Sequence, residues 1–352
     1  MGDYEFSPNG RFVAIGEEAR GRVLLFDLRR WRSLGGVRLP SPHPSGYGGA
    51  GPMQWAAPRR LLVMSGPPFM TQAPVVVDPR TGRVVRRIGW RGWALTSEET
   101  QHGLVLLTAP SARGARRSLG PARLVHVRID GGVRSVQLDR IEAGEGQRRH
   151  GRVRALYPGL AVDRRGDRAF VVAADRDLVA EIDLRSRRVV YHDLVEPPLA
   201  AQRTGSGIST RTARWLGAGK IAVSGEDLPA SEQRRRGSPA PYGLKLVDTR
   251  IWTIRTVDRK AQTFDVAGRR LLARRWYTEQ GLSPMGVAAY DLEGEPRWRR
   301  FAGSNALVWA PGGLRVYVDV GDRGERRTHV VDLSDGRTVR VLPHRRLTLL
   351  RP

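Results

Sequence analysis

A short run of β-branched and aliphatic residues ending in aspartate recurs seven times along this chain. The copies are LLFD to Asp27, VVVD to Asp78, VRID to Asp130, AEID to Asp183, KLVD to Asp248, AAYD to Asp291 and HVVD to Asp332. Successive markers lie 51, 52, 53, 65, 43 and 41 residues apart. A repeat of this period constrains the fold strongly, because each unit is one supersecondary element that cannot bury its apolar surface without a neighbour.

Upstream of the markers stands a second signature: an aromatic or aliphatic residue, a tight turn, often a basic residue, then an apolar strand. FSPNGRFVAIG from Phe6, WAAPRRLLVMSG from Trp55, WLGAGKIAVSG from Trp215, FDVAGRRLLA from Phe264 and WAPGGLRVYV from Trp309 show it. Looser copies follow Leu95 and Val162. After each aspartate comes another turn and a further strand, as in DPRTGRVVRRI and DLSDGRTVRVL. Alternating residues and Gly-containing turns predict hairpins. An aspartate at a strand end bonds the next backbone amides and starts a turn, so the seven markers are read as structural.

Each unit is thus a four-stranded antiparallel meander, a to d. The predicted fold is all-β, a seven-bladed β-propeller, in which radial packing leaves only short protected edges. The predicted blades are approximately 1–40, 53–90, 92–141, 157–196, 212–261, 262–303 and 305–343, all in one domain over 1–352. The tail RRLTLL, 345–350, is read as a closing strand that pairs near the first blade, whose own first strand is short.

On these motifs the chain resembles the WD40-like and YVTN-type β-propeller repeat families, over nearly its whole length. No Trp-Asp or Gly-His dipeptide occurs, so the specific WD40 signature is absent. The segment with Asp291, Gly294 and Trp298 is similar to quinoprotein-type repeats. The resemblance implies a propeller fold and commits the chain to no activity.

In such a blade the a–b and c–d turns lie at one end, and the b–c and d–a connections at the other. The first set is short. Nearly every long connection falls in the second: Ser41 to Pro52, Gly66 to Pro74, Ala109 to Pro121, Glu142 to Pro158, Glu196 to Thr212, Gly225 to Gly243 and Arg274 to Gly286. Binding residues favour variable connections on a rigid scaffold, which puts the expected working surface there.

Charge points the same way. The net charge is +25, and of 60 basic residues only Lys220, Lys245 and Lys260 are lysine. The connections carry arginine clusters: Arg113, Arg116 and Arg117; Arg148, Arg149, His150 and Arg152; Arg203; and Arg234, Arg235 and Arg236. Forked guanidinium hydrogen bonds suit carboxylate or phosphate. Trp276 and Tyr277, expected at the same end, could stack on a ligand or cover a neighbouring blade. Coding bias and solvated turn arginines are the competing explanation, since arginine occurs in nearly every turn.

Catalytic patterns are missing. No GxSxG elbow, Walker sequence or HExxH spacing is present, and GYGGAG at Gly46 to Gly51 lacks the strand-to-helix setting of a dinucleotide site. Zero cysteines remove disulfides and thiolate chemistry together. Glu226 and Asp227, the one acidic pair in a long connection, make a poor calcium cage alone. No cofactor or metal is expected.

The functional expectation is therefore a non-catalytic binding or scaffold propeller, docking an acidic protein, polymer or anionic ligand. Two alternatives stay open: a propeller enzyme of metal-dependent hydrolase, lactonase-like or quinoprotein-like type, and charge-driven nucleic-acid binding. The chain is expected to be monomeric. MGDYEFSPNG carries no recognisable leader, so a cytoplasmic location is expected, with export through a signal outside this chain as the alternative. No apolar run reaches the roughly 18 residues of a membrane span.

Overall fold

A computed structural model describes residues 4–7, 11–17, 21–30, 32–40, 50–57, 60–65, 72–110, 118–148, 152–163, 167–194, 207–229, 240–278, 281–282, 284–309, 315–322 and 325–343. Every regular element in them is a β-strand. The chain divides into two compact units: Met1–Gln147 with Arg154–Ala174 and Val179–His192, and Arg148–Val153 with Asp175–Leu178 and Asp193–Pro352.

In the first unit the strands Tyr4–Phe6, Phe12–Glu17, Arg22–Asp27 and Arg32–Arg38 form one antiparallel meander. Ala50–Ala57, Arg60–Ser65, Ala73–Asp78 and Arg83–Arg87 form the next, and Gly159–Asp163, Arg168–Val172, Leu178–Asp183 and Val189–Asp193 a third. A further a-to-d run joins Ala94–Thr100, Gly103–Thr108, Gly120–Arg128 and Val133–Arg148. In the second unit Gly207–Gly217, Lys220–Pro229, Leu244–Asp248 and Thr253–Asp258 make such a run. Two separate four-stranded sheets complete it: Ala261–Ala267, Arg270–Arg275, Val287–Asp291 and Pro296–Arg300, then Asn305–Trp309, Arg315–Asp322, Glu325–Asp332 and Thr338–Pro343.

Side-chain alternation explains why these sheets stack face to face. In the second meander Leu61, Val63, Val75 and Val77 share a core with Phe12, Val23 and Leu25 of the first. Leu62, Met64 and Val76, one residue out of phase, pack instead with Leu104, Leu106, Val125 and Val127. Period-two geometry gives one strand two apolar faces, each feeding a different core. Phe12 and Trp55 lie stacked in the first core, their ring centroids 6.0 Å apart. In the second unit Phe264, Leu271 and Tyr290 pack against Leu246, and Leu272 and Trp298 against Val316 and Val331. Each fully buried Leu or Ile contributes roughly 1.5–3 kcal/mol.

All seven marker aspartates cap the c–d turn. A side-chain oxygen accepts from the amide two residues on in every copy: Asp27 from Arg29 at 3.0 Å, Asp78 from Arg80 at 2.9 Å, Asp130 from Gly132 at 3.0 Å, Asp183 from Arg185 at 2.9 Å, Asp248 from Arg250 at 2.9 Å, Asp291 from Glu293 at 3.0 Å and Asp332 from Ser334 at 2.9 Å. The position four residues after the aspartate is left-handed in four turns. Gly82 and Gly336 fill it without strain, at φ 62° and 73°, whereas Arg187 and Trp252 adopt 64° and 54° against their Cβ.

Arginines tie successive sheets together at the same end. Arg86 donates to the carbonyl of Asp130 and Arg255 to that of Glu293. Arg300 does the same to Gly336 at 3.1 Å, and Arg134 to Arg185 at 3.5 Å. Each runs from a d strand to the c–d turn of the next sheet. Trp298, the quinoprotein-like position, adds an indole N–H to the Leu333 carbonyl at 3.1 Å.

The long connections differ from expectation. Glu142 to Pro158 is not a loop: Val133–Arg148 is one 16-residue strand, and Arg152–Tyr157 pairs with it. Leu138, Ile141 and Ala143 are buried along it, with a bulge opposite Pro121 and Ala122 that shifts the phase between the first two. Thr212 and the residues from Gly207 belong to a strand, as do Gly225 to Pro229. Within Arg274 to Gly286, Tyr277–Thr278 pairs with Gly281–Leu282 as a small ribbon. The proposed closing strand 345–350 lies outside the described residues.

Candidate functional site

Among the predicted binding residues, Arg113, Arg116, Arg117, Arg149, His150, Arg203, Arg234, Arg235 and Arg236 lie outside the described residues. Arg148, Arg152 and Tyr277 have their backbone in strands. Trp276 is half-buried and lies under the Arg274 guanidinium, 4.4 Å from ring centroid to Cζ, while its amide donates to the Lys260 carbonyl at 3.1 Å. It is thus already stacked within its own chain.

The connection end of the second unit carries a denser group of charges than the sequence indicated. In the strand pair Gly207–Gly217 and Lys220–Pro229, Arg211 faces Gly225, and Val223 faces both Ala213 and Lys245. Paired residues and those two apart share a sheet face, so Arg211, Asp227 and Lys245 project together. Gly225 admits no side chain here, because a Cβ would collide with the Thr210 carbonyl.

Arg211 grips Asp227 with both nitrogens, Nη1 to Oδ1 at 3.0 Å and Nη2 to Oδ2 at 3.2 Å. Its side chain is 6% exposed. The guanidinium also sits 3.8 Å from the Tyr242 ring centroid, and the Lys245 ammonium 3.9 Å from the same centroid. Tyr242 is positioned by its amide, which donates to the Gly225 carbonyl at 2.9 Å.

Lys245 is 7% exposed, and no acceptor among the described residues lies within hydrogen-bonding reach of its Nζ. Burial lowers its pKa to about 8; Asp177 and Asp227 oppose the shift, while Arg211 and Arg259 add to it. Asp177, in the Asp175–Leu178 connection, has its carboxyl pushed up by burial. Burial also raises the Tyr242 phenol. Taking a lysine side chain out of water without an acceptor is costly.

The opposite face of the same strand pair is polar too. Gln262 Nε2 donates to Glu226 Oε1 at 2.5 Å, and Arg274 Nη2 to Asn305 Oδ1 at 3.1 Å. Among the described residues, Ser224 Oγ, Gln262 Oε1 and Arg274 Nε there, and Arg211 Nε on the first face, are buried without a hydrogen-bond partner. Glu226 and Asp227 are therefore strand residues with partners. No group of three His, Asp or Glu side chains among the described residues is placed to hold a metal ion.

Nearby, Asp258 is a structural anchor. Its Oδ2 accepts from Arg275 Nε at 2.9 Å and Tyr290 OH at 2.7 Å, and its Oδ1 from the Lys260 amide at 2.9 Å. His126 and His329 are partly buried on c strands; His329 sits edge-on to Phe301 at 4.9 Å.

Sequence reasoning passed over Arg211, Tyr242, Lys245 and Asp177 because none belongs to a cluster. One signal was available: a lysine is unusual in a chain whose basic residues are nearly all arginine, and Lys245 falls inside an apolar c strand.

Solved structures settle the fold. Dihydro-heme d1 dehydrogenase NirN in complex with DHE aligns at a TM-score of 0.62 with 15% identity, over 97% of this chain and 66% of that one. The chain is a β-propeller. The Dos1 propeller matches it at 0.56 and 13% identity over 96% of this chain and 82% of that one. The β-propeller domain of Cps50 (Swd1) from Myceliophteria thermophila matches at 0.51 and 13%, over 95% and 94%. No family model matches the propeller, and no curated protein sequence does. The propeller thus resembles WD40 propellers and NirN in fold, with four-stranded antiparallel blades.

Proposed function

We propose that this propeller is a non-catalytic binding or scaffold protein whose connection end takes an acidic protein, polymer or anionic ligand. The observation that carries this reading is a mismatch of charge at that end. Four carboxylates there are already engaged within the chain: Asp227 by Arg211, Glu226 by Gln262, Glu142 by Arg154 at 2.8 Å and Glu145 by Tyr157. Lys245 has no such match among the described residues, and the sequence adds the arginines at 113–117, 148–152 and 234–236. An excess of cation over available anion recruits anionic partners.

We further infer seven blades in one domain. Each of the seven marker aspartates caps a c–d turn, and each turn closes one a-to-d run of strands.

The test is titration of a fluorescent poly-glutamate peptide at fixed ionic strength, beside a single-stranded oligonucleotide of equal charge. The reading expects peptide binding that weakens at least about tenfold in R234A/R235A/R236A. Tighter binding of the oligonucleotide, with a steep salt slope, would replace it by the nucleic-acid reading. Absence of binding to either at low salt would end both.

A further inference from the structure

The geometry points to Lys245 as the anchor of a carboxylate-binding subsite, formed with Tyr242, Arg211 and the Asp175–Leu178 connection. The inference deepens the anionic-partner reading and rests on it for the source of the carboxylate. Its basis is the accounting of polar atoms around one ammonium group. Lys245 is more than nine-tenths buried and its Nζ lies 3.9 Å from the Tyr242 ring centroid, with no hydrogen-bond acceptor among the described residues. Asp227 is held bidentately by Arg211, so its oxygens are turned away to another cation. Asp177, the other carboxyl in range, makes no salt bridge to Lys245 among the described residues.

A second observation supports the same place: Arg211 Nε, on the same sheet face, is a buried donor without a partner. An ammonium and a guanidinium N–H beside one aromatic ring offer two donors of matching chemistry. A carboxylate supplies two acceptor oxygens. The Tyr242 ring stands against both cations, its centroid 3.8 Å from the Arg211 guanidinium and 3.9 Å from the Lys245 ammonium. Phosphate suits the place less well, because Asp177 and Asp227 face it and a dianion adds repulsion.

Three lysines make the test direct. Full-length protein labelled with [ε-13C]lysine gives three signals, from Lys220, Lys245 and Lys260, whose shifts report each titration. The groups that face Lys245 are Asp177, Arg211, Asp227, Tyr242 and Arg259, so their charges are common to the free and bound titrations. Glutarate and a poly-glutamate peptide are the probes, each against sodium chloride of equal ionic strength. A bound carboxylate raises the Lys245 midpoint by about 1 pH unit or more and leaves Lys220 and Lys260 in place.

Movement with glutarate identifies a free small carboxylate as sufficient; movement with the peptide alone identifies a partner's acidic side chain. An unmoved Lys245 midpoint with both probes overturns the inference. Lys245→Met separates that failure from failure of the wider reading. The subsite expects peptide binding to fall roughly tenfold or more in K245M and to recover partly in K245R. Equal peptide affinity in wild type and K245M sinks the subsite and leaves the acidic-partner reading standing. Should K245M not fold, the wild-type titration decides alone.

Discussion

The two ends of the blades are built on opposite rules. At the turn end every marker aspartate is saturated, by backbone amides and commonly by an arginine, as in Asp291 with Arg297 at 2.5 Å and Asp248 with Arg250 at 2.5 Å. At the connection end of the second unit, buried polar atoms go unpaired: Arg211 Nε, Arg274 Nε, Ser224 Oγ and Gln262 Oε1 all lack a partner among the described residues. Buried polar groups are normally paired, so the unpaired ones at the connection end call for an explanation that the saturated aspartate turns do not. The same residue type, arginine, serves both ends and cannot by itself tell them apart.

The largest expected effect falls at the turn end. Trp298→Ala removes a buried indole and its bond to Leu333, and should cost about 3–5 kcal/mol in denaturant unfolding. A loss under about 1 kcal/mol would show that the sheets are not locked there.

Asp291→Ala comes next. It strips two amides of their acceptor, those of Glu293 and Glu295, and should cost about 1–3 kcal/mol. Acid unfolding sharpens the same point. Arg128 and Arg250 hold Asp130 and Asp248 down to about 2, so their stabilising share is complete above the ordinary carboxylate value of 3.8. It is lost as pH falls from there through 2, and Asp248→Asn should flatten that limb.

Lys245 should behave with the reverse sign. Its folded pKa of about 8 lies below the ordinary 10.5, so the fold prefers the neutral amine. Its share of stability is present above 10.5 and is lost as pH falls through 8. Lys245→Met should therefore raise Tm at pH 7 by about 1–3 °C and remove that slope. A lowered Tm would mean that the ammonium is needed to hold the strand.

How much of this was legible follows from the locality of each interaction. The aspartate turns were readable because donor and acceptor lie two residues apart, as in Asp78 and Arg80. The stacking of sheets was readable from alternation, as in Leu61 and Leu62 entering different cores. Lys245 was not, since its neighbours Arg211, Asp227 and Asp177 are set by strand register and by a connection far away in sequence. The long connections were misread for a related reason. Gly and Arg runs such as EAGEGQRR look like loop, yet pairing with a neighbouring strand satisfies their backbone and extends the sheet.

A smaller effect is expected where a turn breaks its own rule. Arg187 occupies a left-handed position that glycine fills in Gly82 and Gly336. Arg187→Gly should stabilise by about 0.5–1 kcal/mol, and a loss of stability would show that the Arg187 side chain contributes more than its backbone strain costs.

Matched charge removal tests most directly whether the two ends do different work. Poly-glutamate affinity is measured in R80A/R185A/R337A, three exposed arginines of c–d turns, and in R234A/R235A/R236A, the arginine cluster that the sequence assigns to the other end, at one ionic strength. Affinity unchanged in the first and reduced at least about tenfold in the second is the predicted result. Equal losses in both would mean that net charge alone attracts the peptide, and the distinction between the ends would fall.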